Sequence, residues 1–70
     1  MIIEAKLESS AIEAIHYDEN LDNLRVTFRS GGSYDYPAVP RDKVLALLAA
    51  ESAGRYFYQN IRQYSIHSHK

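Results

Sequence analysis

The sequence predicts an α+β fold, a three-stranded antiparallel β-meander followed by two helices packed on one face of the sheet. Apolar and polar residues alternate strictly over residues 24–29, as in a half-buried strand. Two adjacent glycines at 31–32 supply the positive φ of a tight hairpin. Pro40 then precedes a run of residues that favour helix. Strands come first and helices second, which is typical of an α+β domain.

The three strands are predicted at residues 11–17, 24–29 and 33–36. The first run is rich in β-branched and aromatic residues, although its alternation is imperfect. Residues 18–23 are a cluster of turn formers between the first two strands. The inward residues of the second strand are Leu24, Val26 and Phe28. Short turns imply antiparallel neighbours, so the three strands form a meander.

The helices are predicted at residues 41–50 and about 53–62. Pro37 ends the third strand because it lacks an N–H for the ladder. Ser52 is the expected N-cap of the second helix, and Gly54 is expected to allow the two helices to approach closely. The residues expected to face the core are Val39, Val44, Leu47, Leu48, Phe57, Ile61 and Tyr64.

Length and composition indicate one small domain over residues 1–70. Residues 1–8 and 66–70 are expected to be peripheral or frayed. The absence of cysteine and of any run near the roughly 20 apolar residues of a membrane span favours a soluble, cytoplasmic protein. The net charge is −1, but residues 1–40 hold three basic against seven acidic residues, and residues 41–70 hold five against two. The C-terminal part is therefore basic.

Catalytic and metal-binding patterns are missing from the sequence. It has no glycine-rich phosphate loop, no nucleophile elbow and no cysteine nucleophile. His67 and His69 have the spacing of two metal ligands, but no further ligand accompanies them. We therefore expect no enzyme activity, no cofactor and no bound metal.

The six tyrosines are the informative residues. Tyr34 and Tyr36 are two apart in a strand and must share a face, either as core or as a platform on which bases stack. Tyr58 shares a helix face with two arginines, because the three are spaced by three and four residues. The candidate binding residues are Arg29, Tyr34, Tyr36, Arg55, Tyr58 and Arg62.

The order of these motifs resembles the KTSC domain, a family named for an extension at the C-terminus of some lysyl-tRNA synthetases and also found as stand-alone bacterial or phage proteins. The resemblance depends on Tyr34-Asp35-Tyr36, preceded by the strand and glycine turn of residues 26–32. Val39-Pro40 follows, and then residues 50–54 with an aromatic residue and Ile61-Arg62. It covers about residues 9–66.

The resemblance implies a domain of unknown function, for which the association with a synthetase suggests RNA binding. The expected partner is then tRNA-like or single-stranded RNA. The alternative is a protein–protein interaction adaptor, for example a bacterial or phage regulator, because tyrosine and arginine are favoured at interface hot spots. The sequence leaves the oligomeric state open.

Overall fold

A computed structural model describes residues 2–64 and 67–68 of the chain. Its sheet is antiparallel, and the strands lie side by side in chain order. The strands are β1 (Ile2–Lys6), β2 (Ile12–Asp18), β3 (Asn23–Phe28), β4 (Ser33–Tyr36) and the two-residue β5 (His67–Ser68). The helices are α1 (Arg41–Ala49) and α2 (Ala53–Asn60), followed by a 3₁₀ turn at Arg62–Tyr64. The predicted meander followed by two helices is confirmed.

The sheet extends beyond the three predicted strands at both edges. β1 pairs with β2, with Ile3 opposite Tyr17 and Ala5 opposite Ile15. Its residues alternate between exposed and half-buried, as expected of a strand with one face on a core. At the other edge β5 pairs with β4. The remaining residues of the tail that we expect to be frayed lie outside the described residues.

A β-bulge explains the imperfect alternation of the first predicted strand. The pairing of β2 with β3 shifts register between Ile12 and Ala14. The extra residue changes the spacing of inward positions, so that Ile12, Ile15 and Tyr17 are all buried. Outward residues of the same strand include His16, which is exposed.

The core lies between the inner face of the sheet and the two helices. Phe57 of α2 packs edge-on against Phe28 and Tyr36, with ring centroids 5.4 and 5.1 Å apart. Such edge-to-face pairs are favourable beyond their buried area. The buried residues are Ile12, Ile15, Tyr17, Leu24, Val26, Tyr36, Val39, Val44, Leu47, Phe57 and Ile61.

The turns follow the predicted chemistry. Gly31 and Gly32 have φ of 100° and 93°, and the hairpin is closed by Phe28 N–H donating to the Gly32 carbonyl. The Ser52 hydroxyl accepts from the Arg55 N–H at 3.3 Å, which confirms the predicted N-cap. The prediction that Gly54 allows the two helices to approach closely is wrong, because a different segment lies against this glycine. A Cβ at Gly54 would lie 3.3 Å from that of Ala11, so this glycine admits the loop before β2 and not helix α1.

A long-range contact that we call the Tyr17 clamp joins the turn after β2 to the loop before α1. The Tyr17 hydroxyl donates to the Val39 carbonyl at 2.8 Å and lies 3.3 Å from Oδ1 of Asp22. The Val39 N–H donates in turn to the Asp22 carbonyl at 2.9 Å. Asp22 and the neighbouring Ala38 both have positive φ, 52° and 61°. The clamp therefore stabilises two strained turns against each other.

Candidate ligand surface on helix α2

Three of the candidate binding residues are exposed on α2 and the 3₁₀ turn after it. Tyr58 keeps 63% of its surface exposed, and its ring centroid lies 5.1 Å from the Arg62 guanidinium carbon. Arg55, one turn before Tyr58, is also exposed. The Ser52 cap fixes the start of α2 and thus the direction of this face. We call Arg55, Tyr58 and Arg62 the α2 surface.

The arginines of the α2 surface differ from the other three in their partners. Arg25 donates to both carboxylate oxygens of Asp35, at 2.8 and 3.3 Å, and this bonding raises the pKa of Arg25. Arg41 lies 3.4 Å from a carboxylate oxygen of Glu19. Within residues 2–64, neither Arg55 nor Arg62 forms an ion pair. Their charges are therefore available to an anionic ligand.

Arg29 is not on α2, and its contacts are with the backbone of a neighbouring loop. Its guanidinium donates to the carbonyls of Leu7, at 2.9 Å, and Ser9. Both carbonyls belong to the loop between β1 and β2. The predicted role of Arg29 as a binding cation gains no support from this geometry, because two of its donors are bonded to the backbone.

Tyr34 and Tyr36 share the inner face of β4, as their spacing predicts. Tyr36 is 4% exposed and its ring contacts Phe57 at a centroid distance of 5.1 Å. Tyr34 is half-buried and tilted against Phe28 at 5.6 Å. Of the two interpretations, the geometry supports core over stacking platform. A base would have to displace α2 to reach the ring of Tyr36.

Gln59 is a surface residue that the sequence analysis did not single out. A shallow depression of about 220 Å³ beside Arg55 is lined by Gln59, Tyr56, Ser52 and Glu51. The amide of Gln59 supplies both donors and acceptors, which suit the edge of a base. Its position four residues after Arg55 was the available signal.

A second, larger cleft shares Glu51 and Ser52 with this depression but contains none of the α2 surface residues. It has a volume of about 370 Å³ and lies between the β1–β2 loop and the turn joining the helices. Its walls include the carboxylates of Glu8 and Glu51 and the hydroxyls of Ser9, Ser10 and Ser52. An anionic ligand would be repelled there.

Neither a metal-ligand cluster nor a membrane-spanning helix occurs in the described residues. No three His, Asp or Glu side chains of that part of the chain lie together as metal ligands. None of its helices has the length and apolar composition to cross a bilayer.

The fold and the exposed α2 surface define a class of small α+β domain in which a meander sheet supports a short aromatic and basic helix. The KTSC domain model matches residues 8–64. The chain therefore belongs to the KTSC domain family, as its motif order indicates.

Proteins similar to this chain include two sequence relatives and one solved structure. An uncharacterized protein of Stutzerimonas stutzeri is 47% identical over 53 residues, which cover 76% of this chain and 75% of that protein. A protein of Tsukamurella paurometabola is 48% identical over 50 residues, which cover 71% and 75%. The crystal structure of a KTSC domain protein from Yersinia pestis matches with a TM-score of 0.89 and 28% identity over the whole of both chains.

Proposed function

We propose that this chain is a non-catalytic module that binds single-stranded RNA through the α2 surface. The observation that carries the proposal is the 63% exposed Tyr58 ring on a face with two arginines, Arg55 and Arg62, that form no ion pair within the described residues. Proteins that bind single strands combine aromatic rings, on which bases stack, with cations that follow the backbone.

The contact between Arg62 and Tyr58 supports stacking in particular. The Arg62 guanidinium lies 5.1 Å from the centroid of the Tyr58 ring, a distance typical of a cation–π contact. In RNA-binding proteins, bases stack on both aromatic rings and guanidinium planes. The Phe57 ring also contacts that of Tyr58, edge-on, with centroids 6.1 Å apart. The ring is therefore positioned before any ligand arrives.

The expected affinity is modest because the charge is small. Two phosphate contacts on a single strand give a slope of log K against log salt of about −1.4. Raising the salt fourfold then weakens binding roughly sevenfold. The net charge of −1 adds no general attraction for nucleic acid.

The test is fluorescence anisotropy with a labelled oligouridine in low salt. Tyr58→Ala is expected to lose about 1–3 kcal/mol, or roughly 5- to 150-fold in affinity, if one base stacks on the ring. Arg55→Gln and Arg62→Gln each reduce the salt slope by about 0.7. Arg41→Gln is the matched control, because it removes the same charge at the Glu19 pair, away from the α2 surface. Saturable binding that Arg41→Gln weakens as much as Arg55→Gln would contradict the proposal, and so would no binding at low salt.

The alternative partner is another protein, and the composition of the same surface favours it as a second candidate. Exposed tyrosine and arginine are enriched among the residues that dominate protein interfaces. The exposed Leu45 of α1, at 41%, adds apolar surface outside α2. The test is to capture proteins from a cell lysate with this chain as bait. A captured protein that remains bound after nuclease treatment, and that the Tyr58→Ala variant fails to capture, would support a protein partner over RNA.

A further inference from the structure

Strand β1 has one edge that no described strand covers. It is the first strand in the order of the sheet, and only β2 pairs with it. The Leu7 N–H, just after β1, donates to the Glu13 carbonyl of β2 at 2.9 Å. Backbone groups alternate in direction along a strand, so those of Ile2, Glu4 and Lys6 point away from β2. Among the described strands, none pairs with the outward donors and acceptors of this edge. Natural proteins usually pair such groups, cover them or protect them with charge.

Two opposite charges stand on this edge, two residues apart and on one face of the sheet. Glu4 and Lys6 are both exposed and point to the outer face, away from the helices. Glu4 also lies 2.8 Å from Nδ1 of His16 on β2. Lys6 forms no ion pair in the part of the chain that the structure describes. A carboxylate and an ammonium at this spacing complement a second copy of the same strand running antiparallel.

We propose that two copies of this chain associate through their β1 edges, about a two-fold axis at Ala5. In this register Glu4 of each copy is opposite Lys6 of the other, and both residues direct their backbone groups at the partner. Each pair then exchanges both N–H···O bonds and adds an ion pair on the outer face. On the inner face Ile3 lies opposite Leu7 of the second copy. Both side chains are half-buried in the single chain, so pairing extends the apolar layer.

Charge and backbone direction select this register over its neighbours. An axis at Glu4 brings the two Glu4 carboxylates opposite each other, and an axis at Lys6 does the same with two ammonium groups. Like charges directly opposite are destabilising in a sheet. If the axis instead passes between two residues, each residue whose backbone groups point outward lies opposite a residue whose groups point toward its own β2. The outward groups then form no hydrogen bond across the interface. Among axes centred on a residue of β1, the one at Ala5 alone sets both Glu4 and Lys6 opposite a residue of the other charge.

The proposal is tested by sedimentation velocity over roughly a hundredfold range of protein concentration. The unmodified chain is expected to shift from the monomer mass toward twice that mass as concentration rises. K6E is expected to stay monomeric, because each pair now holds two carboxylates, while the Glu4–His16 contact is left intact. E4K is expected to stay monomeric as well, and circular dichroism shows whether each variant remains folded.

The decisive measurement is an equimolar mixture of K6E and E4K. Every pair in the mixed dimer again joins a carboxylate to an ammonium, so the mixture is expected to recover the dimer mass that neither variant reaches alone. A chain that stays monomeric at every concentration overturns the proposal. Dimerisation of K6E alone overturns the register, as does a mixture that stays monomeric. These outcomes are independent of RNA binding, because no residue of the α2 surface takes part.

Discussion

The Tyr17 clamp makes a sharp prediction about stability. Tyr17→Phe removes one oxygen and leaves the ring, which is fully buried, in place. The Val39 carbonyl loses its 2.8 Å donor, and Asp22 loses a partner at 3.3 Å. Val39 is also fully buried, so its carbonyl gains no water in exchange. A buried acceptor without a partner costs about 1–3 kcal/mol.

This loss is a large part of the total free energy of unfolding for a chain of 70 residues. At about 0.05–0.15 kcal/mol per residue, the free energy of unfolding is on the order of 4–10 kcal/mol. A loss of about 2 kcal/mol lowers the melting temperature by roughly 8–16 °C. Urea unfolding followed by far-ultraviolet circular dichroism measures the change directly, provided that the slope with denaturant is unchanged.

Tyr34→Phe is the matched control for this experiment. It is the same chemical change on a half-buried tyrosine whose hydroxyl forms no hydrogen bond within the described residues. We expect it to alter the free energy of unfolding by less than about 0.5 kcal/mol. Equal effects from the two substitutions, or a loss below about 0.5 kcal/mol for Tyr17→Phe, would refute the role given to the clamp.

Three further predictions concern the Tyr17 clamp and the contacts of Arg29. Burial, followed by the charge of Asp22, raises the pKa of Tyr17 to about 12 from its ordinary 10.0. The unfolded chain therefore loses this proton first, and stability falls between pH 10 and 12 by at most about 1.4 kcal/mol per pH unit. Urea titrations at several pH values measure this fall, which should be smaller in Tyr17→Phe. Ala38→Gly relieves a φ of 61° and should raise stability by about 0.5 kcal/mol in thermal melts, whereas a lower melting temperature would contradict that strain. Arg29→Ala removes the donors to the Leu7 and Ser9 carbonyls and should cost about 1 kcal/mol, with Arg29→Lys restoring only part of it in urea unfolding.

Local patterns were enough to predict most of the fold. The alternation of β3, the two glycines of the hairpin and the Ser52 cap each depend on neighbours within a few residues, and the structure confirms all three. The N-terminal strand β1 was not predicted, because the adjacent Ile2 and Ile3 point to opposite faces and hide the alternation. The bulge in β2 similarly hides the period of that strand.

The part of the candidate surface that depends on residues close in sequence was predictable. The spacing of Arg55, Tyr58 and Arg62 places them on one helical face, and the 5.1 Å contact between the last two agrees with it. The contact of Arg29 with Ser9 joins residues twenty apart in sequence, and no periodicity signals it. The clamp between Tyr17 and Val39 spans twenty-two residues and was missed for the same reason.

Phe57 and Tyr58 are consecutive residues with opposite environments, one 4% and the other 63% exposed. Successive side chains of a helix point about 100° apart, so the direction of the exposed ring is fixed by how the buried ring sits against Phe28 and Tyr36. The outer residue can therefore change without disturbing the core, whereas the inner one cannot. Relatives that bind different partners are expected to differ at position 58 and to share an aromatic residue at position 57.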